Sequence, residues 1–119
     1  MKRILVSDDD QQILISIKRM LSPYYDVDTA TTATETLDKL DQGKYDALII
    51  DVEFKSGLNG LETVAILREE NYTDLKIIIF SATDYTNTVR QRAVELGAIF
   101  CEKPIKEYQI RAVIDGERS

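Results

Sequence analysis

Histidine and tryptophan are absent from the 119-residue sequence, and cysteine occurs only once. Without histidine, the chain cannot supply a Ser-His-Asp or Cys-His triad, a histidine-based zinc site or a phosphohistidine. The single Cys101 excludes an intramolecular disulfide and favours a reducing compartment. Because it lies in an apolar run, we expect Cys101 to be a small buried hydrophobe with no redox role.

Basic side chains are too few for a nucleic-acid-binding surface, which needs clustered lysine and arginine. Lys and Arg number 15 against 21 Asp and Glu, which leaves a net charge of -6. No apolar run approaches the roughly 20 residues that span a bilayer, and no signal sequence precedes the first apolar run. We therefore expect a cytoplasmic protein that binds neither nucleic acid nor membrane and folds as a single domain over residues 1–119.

Short apolar runs recur five times along the chain, and segments with helical spacing lie between them. The third and fourth runs are continuous and rich in isoleucine, which is typical of strands covered on both faces in a parallel sheet. Strand and helix thus alternate five times, and this pattern predicts a doubly wound α/β sandwich with right-handed crossovers. The runs are Ile4–Val6, Val27–Ala30, Ala47–Ile50, Ile77–Phe80 and Ile99–Cys101.

Several residues predict where helices begin and end. Asn59 followed by Glu62 is typical of a helix N-terminus, where the two side chains satisfy free backbone N–H groups reciprocally. Gly43 and Gly97 follow helical stretches, where a residue in the left-handed conformation often ends a helix. We expect both glycines to adopt that conformation, and the last helix to span residues 107–115.

Polar residues follow four of the five predicted strands. In a parallel sheet these strand ends share one edge, and in the order 2-1-3-4-5 the first and third strands are neighbours. Two carboxylates 4 Å apart repel by about 4 kcal/mol at an effective dielectric of 20, so a divalent cation with oxygen ligands, such as Mg²⁺, is expected. A nucleophilic acid, a metal and hydrogen-bond donors together favour phosphoryl transfer onto a carboxylate. The residues are Asp8–Asp10, Asp51, Ser81 and Lys103; Asp10 alone is assigned to a helix N-terminus.

In this order and spacing, five short motifs resemble the receiver domain of two-component response regulators over essentially the whole chain. The resemblance implies a flavodoxin-like (βα)5 sandwich with a five-stranded parallel sheet in the order 2-1-3-4-5. It also implies a phosphoacceptor that catalyses its own phosphorylation and slow dephosphorylation and is otherwise not an enzyme. The motifs are Ile4-Leu5-Val6-Ser7-Asp8-Asp9-Asp10, Leu48-Ile49-Ile50-Asp51, Phe80-Ser81-Ala82, Gly97-Ala98 and Lys103-Pro104.

The same resemblance implies a metal-dependent phosphorylation site. Asp51 would accept a phosphoryl group from a histidine kinase, a phosphotransfer protein or a small acyl phosphate. Asp8, Asp9, Asp51 and the backbone carbonyl of Glu53 would hold Mg²⁺, and Mn²⁺ would suit the same oxygen ligands. The protein would be a monomer or a weak dimer.

Further roles are implied for the residues around this site. Ser81 and Lys103 would bind the phosphoryl oxygens, with a cis bond between Lys103 and the following proline. Phe100 would turn inward on phosphorylation and alter the face built from the fourth helix, fifth strand and fifth helix, which a downstream protein or output domain reads. Glu53 and Thr83 would modulate the site.

The sequence also departs from the pattern of the family. Residues 55–58 contain an insertion in the loop after Asp51, and Phe100 lacks the hydroxyl of the more frequent tyrosine. Glu53 is an uncommon choice two residues after the acceptor.

Three other functions remain open at this point. A phosphatase of the haloacid dehalogenase type also uses an aspartate, Mg²⁺, a hydroxyl and a lysine, but its nucleophile should follow the first strand. A flavin or nucleotide binder needs a phosphate-binding loop there, and the acids at residues 8–10 would repel a phosphate. A receiver that signals without phosphorylation would keep these site residues but would not accept a phosphoryl group.

Overall fold

A computed structural model describes residues 1–55, 57–81 and 86–116, except for the side chain of Thr86. Five strands form one sheet in which all neighbours pair in parallel, in the order 2-1-3-4-5 along the chain, which confirms the predicted flavodoxin-like sandwich. The strands are β1 (Arg3–Ser7), β2 (Asp26–Ala30), β3 (Ala47–Asp51), β4 (Lys76–Ser81) and β5 (Ile99–Glu102). The helices are α1 (Gln11–Leu21), α2 (Ala33–Gln42), α3 (Gly60–Glu69), α4 (Thr86–Glu95) and α5 (Glu107–Asp115).

The sheet is buried on both faces because successive side chains of a strand point to opposite sides. Ile49 lies in the apolar cluster that contains residues of α1 and α5, whereas Leu48 and Ile50 lie in the cluster that contains residues of α2, α3 and α4. All three side chains are 0% exposed, and burial of each such side chain contributes about 1.5–3 kcal/mol. This double coverage explains why β3 and β4 are continuous apolar runs. Within the described residues, no helix is long and apolar enough to cross a bilayer.

The helix ends agree with the sequence predictions at every position but one. Asn59 and Glu62 form the reciprocal pair at the start of α3, and the carboxylate of Asp10 accepts hydrogen bonds at the start of α1. Gly97 has a φ of 68°, as predicted. The prediction for Gly43 is wrong, because its φ of -136° is extended. A Cβ there would lie 3.3 Å from the guanidinium of Arg3, the end of a flexible side chain, so the packing does not require glycine either.

Candidate functional site

The carboxyl ends of β1 and β3 bring three aspartates together. Ser7, the last residue of β1, pairs with Ile50 of β3, so Asp8 and Asp51 follow at the same level on neighbouring strands. One carboxylate oxygen from each of Asp8, Asp9 and Asp51 lies within 4.8 Å of the others. The predicted convergence of the acids is therefore confirmed, and it follows from the strand order because only adjacent strands place their ends this close.

Lys103 brings a positive charge to this cluster from the end of β5. Its backbone N–H donates to the carbonyl of Ser81 at 2.9 Å, which places the lysine at the same edge of the sheet as the acids. Its ammonium nitrogen lies 3.3 Å from Asp51 Oδ2 and 3.6 Å from Asp8 Oδ2. The bond to Pro104 is cis, as the sequence motif implies.

The two inner acids are almost fully shielded from solvent. Asp8 is 1% exposed and Asp51 is 5% exposed. Burial raises the pKa of Asp51 to about 6, and the charge of Asp8 adds to this rise while Lys103 opposes it. Burial likewise raises the pKa of Asp8, although the N–H of Asp10 donates to its Oδ1 at 2.9 Å. The site therefore holds more negative charge than one lysine can balance.

One buried oxygen of the cluster is without a hydrogen bond. Among the described residues none donates to Asp8 Oδ2, and Asp8 lines the same cleft as Asp9, Asp51 and Lys103. A buried carboxylate oxygen costs free energy when unpaired, and oxygen ligands are those that Mg²⁺ prefers. The donor set therefore fits a small divalent cation.

The remaining residues named from the sequence differ in burial and in their contacts. Ser81 ends β4 and is 2% exposed, whereas Glu53 is exposed on the loop after β3. The backbone N–H of Glu53 donates to the Asp51 carboxylate. Phe100 is half-buried, with the Arg90 guanidinium 4.8 Å above its ring. Thr83 lies outside the described residues.

Two backbone contacts of the site were missed from the sequence. The N–H of Lys55 donates to Asp9 Oδ2 at 2.8 Å, so the loop after β3 orients one acid of the cluster. Gly60, at the start of α3, lies so close to the end of β3 that a Cβ would come within 2.0 Å of the Asp51 carbonyl oxygen. The sequence predicts only a helix start, from Asn59 and Glu62, and such a pattern carries no signal for this close approach.

Known proteins share both the sequence pattern and the fold. A profile of the family described as response regulator receiver domain matches residues 4–115. The response regulator MprA of Mycobacterium avium is 38% identical over 97 residues, which cover 81% of this chain and 40% of MprA. The chain thus aligns with well under half of the length of these curated relatives.

Solved structures agree over nearly the whole chain. The response regulator TrrA from Thermotoga maritima, in complex with Mg²⁺-BeF, has a TM-score of 0.83 at 30% identity and is covered to 98%, as is this chain. The receiver domain of the Francisella response regulator 1452 has a TM-score of 0.86 at 26% identity, with 97% of this chain and 94% of that chain covered. Family profile, relatives and fold agree: the chain belongs to the response regulator receiver domain family.

Proposed function

We propose that this chain receives a phosphoryl group on the carboxylate of Asp51. The observation that carries the proposal is the position of this acid, 95% shielded, beside Asp8 and 3.3 Å from the ammonium of Lys103. Burial and the charge of Asp8 disfavour the ionised form of this carboxylate, so a bound cation would stabilise it. Receivers of this family take part in two-component systems, in which a histidine kinase is the phosphodonor and a downstream output partner responds.

The proposed step is a substitution at phosphorus. An oxygen of Asp51 forms a new O–P bond, and the bond from phosphorus to the nitrogen or oxygen of the donor breaks, with the electron pair leaving on the donor. The donor would be a phosphohistidine of a kinase or phosphotransfer protein, or a small acyl phosphate. Lys103 would bind a phosphoryl oxygen in place of its present contacts with Asp8 and Asp51, and the Ser81 hydroxyl would bind a second one.

Asp8, Asp9 and Asp51 would hold Mg²⁺, with the backbone carbonyl of Glu53 as a further ligand. Receiver domains bind this ion at an acidic pocket, and the aspartate cluster is the matching pocket here. The ion would neutralise the charge that develops on the phosphoryl oxygens. The complex of TrrA with Mg²⁺-BeF, in a protein 30% identical to this one, supports the assignment. Mn²⁺ would suit the same ligands.

Partners would recognise the phosphorylated state at the face formed by α4, β5 and α5. We propose that Ser81 moves toward the phosphoryl group and that Phe100 then turns inward, which would break its contact with Arg90. Downstream proteins or an output domain would recognise the altered face. The cytoplasmic location, the monomeric or weakly dimeric state and the modulating role of Thr83 stay predictions.

The test of the proposed function is the stoichiometry of labelling. With acetyl phosphate and Mg²⁺, we expect intact-mass measurement to show one added phosphoryl group per chain, with slow release of phosphate. A phosphatase of the haloacid dehalogenase type would instead hydrolyse many equivalents without retaining the label. If Mg²⁺ binds and the mass stays unchanged after long incubation, the chain signals without phosphorylation and the proposal is wrong.

Asp8→Asn is expected to weaken Mg²⁺ binding at least about 10-fold, because it removes one charged oxygen ligand. It should also raise the melting temperature of the metal-free protein, because it removes one of two buried acids that repel each other. Calorimetric titration and thermal unfolding measure the two effects. The matched control is Asp10→Asn, since asparagine also serves as an N-cap. Equal Mg²⁺ affinity in the two variants would contradict the assignment of Asp8.

Glu53→Asn is expected to change the lifetime of the phosphorylated protein. The side chain is exposed two residues after Asp51, so its carboxylate would alter both metal affinity and access of water to the phosphoryl group. The decay of labelled protein, followed by intact mass, measures this lifetime. A decay rate equal to that of the parent would make Glu53 an ordinary loop acid.

A further inference from the structure

The guanidinium of Arg68, near the end of α3, binds two loop segments that lie outside the site described above. Each hydrogen bond described for it goes to a backbone carbonyl. Nε donates to Leu96 at 2.7 Å, and Nη2 donates to Gly97 at 3.0 Å. Nη1 donates to Leu75 at 3.2 Å and also to Tyr72. One half-buried side chain thus joins the segment after α3 to the segment after α4.

The carbonyls of Leu96 and Gly97 directly follow α4. Carbonyls of the last turn of α4 already accept hydrogen bonds from the N–H groups of residues 96–98, so Arg68 binds the turn that ends the helix. A positive charge at this end also interacts favourably with the helix dipole. Burial lowers the pKa of Arg68, but a guanidinium stays protonated in proteins. Arg68 therefore acts as a charged C-terminal cap that is supplied by a different helix.

The other described side chains that hold α4 against the rest of the protein are small or exposed. Among its described side chains only Val89 and Ala93 are buried, and both are small. Val94 is 69% exposed. The exposed Arg90, in the first half of α4, lies over the Phe100 ring at 4.8 Å and pairs with Glu102 at 3.6 Å. The polar contacts described for the first half therefore join partly exposed side chains, whereas at the C-terminal end Arg68 bonds to backbone carbonyls.

We infer that Arg68 is a positioning residue that fixes the C-terminal end of α4 and makes this end the pivot when phosphorylation of Asp51 moves the helix. The inference rests on the proposed function. A rigid planar fork reaches carbonyls of two segments at once, and the compact ammonium of a lysine does not. Motion of α4 is then confined to its first half, and the surface that partners recognise changes at that end only.

The variant Arg68→Lys keeps the charge and removes the fork. The matched control is Arg92→Lys on α4, because Arg92 is exposed and contacts only the neighbouring Glu95, at 3.2 Å, among the ion pairs of the described chain. Without ligand, we expect amide hydrogen exchange at Leu96, Gly97 and Ala98 to rise about 10-fold in Arg68→Lys, as loss of a charge-assisted hydrogen bond predicts. Exchange in β1 should stay at the parent rate, and Arg92→Lys should match the parent throughout.

The parent protein tests the pivot itself, whether or not the variant folds. With Mg²⁺ and beryllofluoride, we expect exchange to change in the first half of α4 and to stay constant at Leu96, Gly97 and Ala98. Equal changes at both ends of α4 would overturn the inference, as would a uniform rise across the sheet in Arg68→Lys. If beryllofluoride changes the exchange rate of no amide, both the proposed function and the pivot are wrong. Changes of equal size at both ends of α4 would contradict the pivot alone.

Discussion

Asp51→Asn should abolish phosphorylation by acetyl phosphate in the presence of Mg²⁺. The amide that replaces the carboxylate has no charged oxygen to attack phosphorus, while its size and its place at the end of β3 are unchanged. Intact mass after incubation should show the unmodified protein only, against one added group in the parent. The expected effect is complete loss, because Asp51 is the proposed nucleophile and β3 carries no other acid.

The same substitution should also stabilise the metal-free fold. With a pKa raised to about 6, the Asp51 carboxylate opposes folding at neutral pH by about 3 kcal/mol. Higher thermal stability together with no label shows that the variant is folded and only its chemistry is lost. Asp10→Asn, an exposed N-cap two residues from Asp8, is the control and should label like the parent. Labelling of Asp51→Asn at the parental rate would place the acceptor elsewhere.

Gly60→Ala should destabilise the protein by about 3 kcal/mol and disturb the site, since overpacking of a fixed contact costs this much. The new Cβ would lie 2.0 Å from the Asp51 carbonyl oxygen and 3.0 Å from the Cα of Val52. These are backbone atoms, so they move only if β3 or α3 moves. The N–H of Gly60 also donates to the Val52 carbonyl at 2.7 Å, which limits the shift. The melting temperature should fall by on the order of 10 °C.

Gly43→Ala is the matched control for this prediction. Gly43 is extended, and its added Cβ would meet the end of the flexible Arg3 side chain at 3.3 Å, which moves at little cost. We expect a change of less than about 1 kcal/mol in unfolding free energy. Phosphorylation should slow in Gly60→Ala and stay unchanged in Gly43→Ala. Equal stability of the two variants would mean that α3 accommodates the methyl group without moving Asp51.

Much of the site could be predicted from the sequence because its side chains directly follow strands. Asp8, Asp51 and Lys103 were predicted on that basis, and the structure places the Lys103 ammonium 3.6 Å from Asp8 Oδ2 and 3.3 Å from Asp51 Oδ2. The contact of Lys55 with Asp9 could not be found this way, because its donor is a backbone N–H, which every residue except proline carries. The position of Arg90 over Phe100 could not be predicted either, because the two residues lie on different elements, α4 and β5, whose packing the sequence pattern does not give.

The sequence by itself determined the alternation of strands and helices, the two-sided burial of β3 and β4, and the presence of acids after β1 and β3. Local periodicity and the chemistry of strand ends carry this information. Only the tertiary structure decided the extended conformation of Gly43, the close approach of Gly60 to Asp51 and the cap that Arg68 supplies to α4. The last two depend on backbone atoms of another segment of the chain. Backbone atoms are the same for nearly every residue, so the packed fold alone specifies which of them meet.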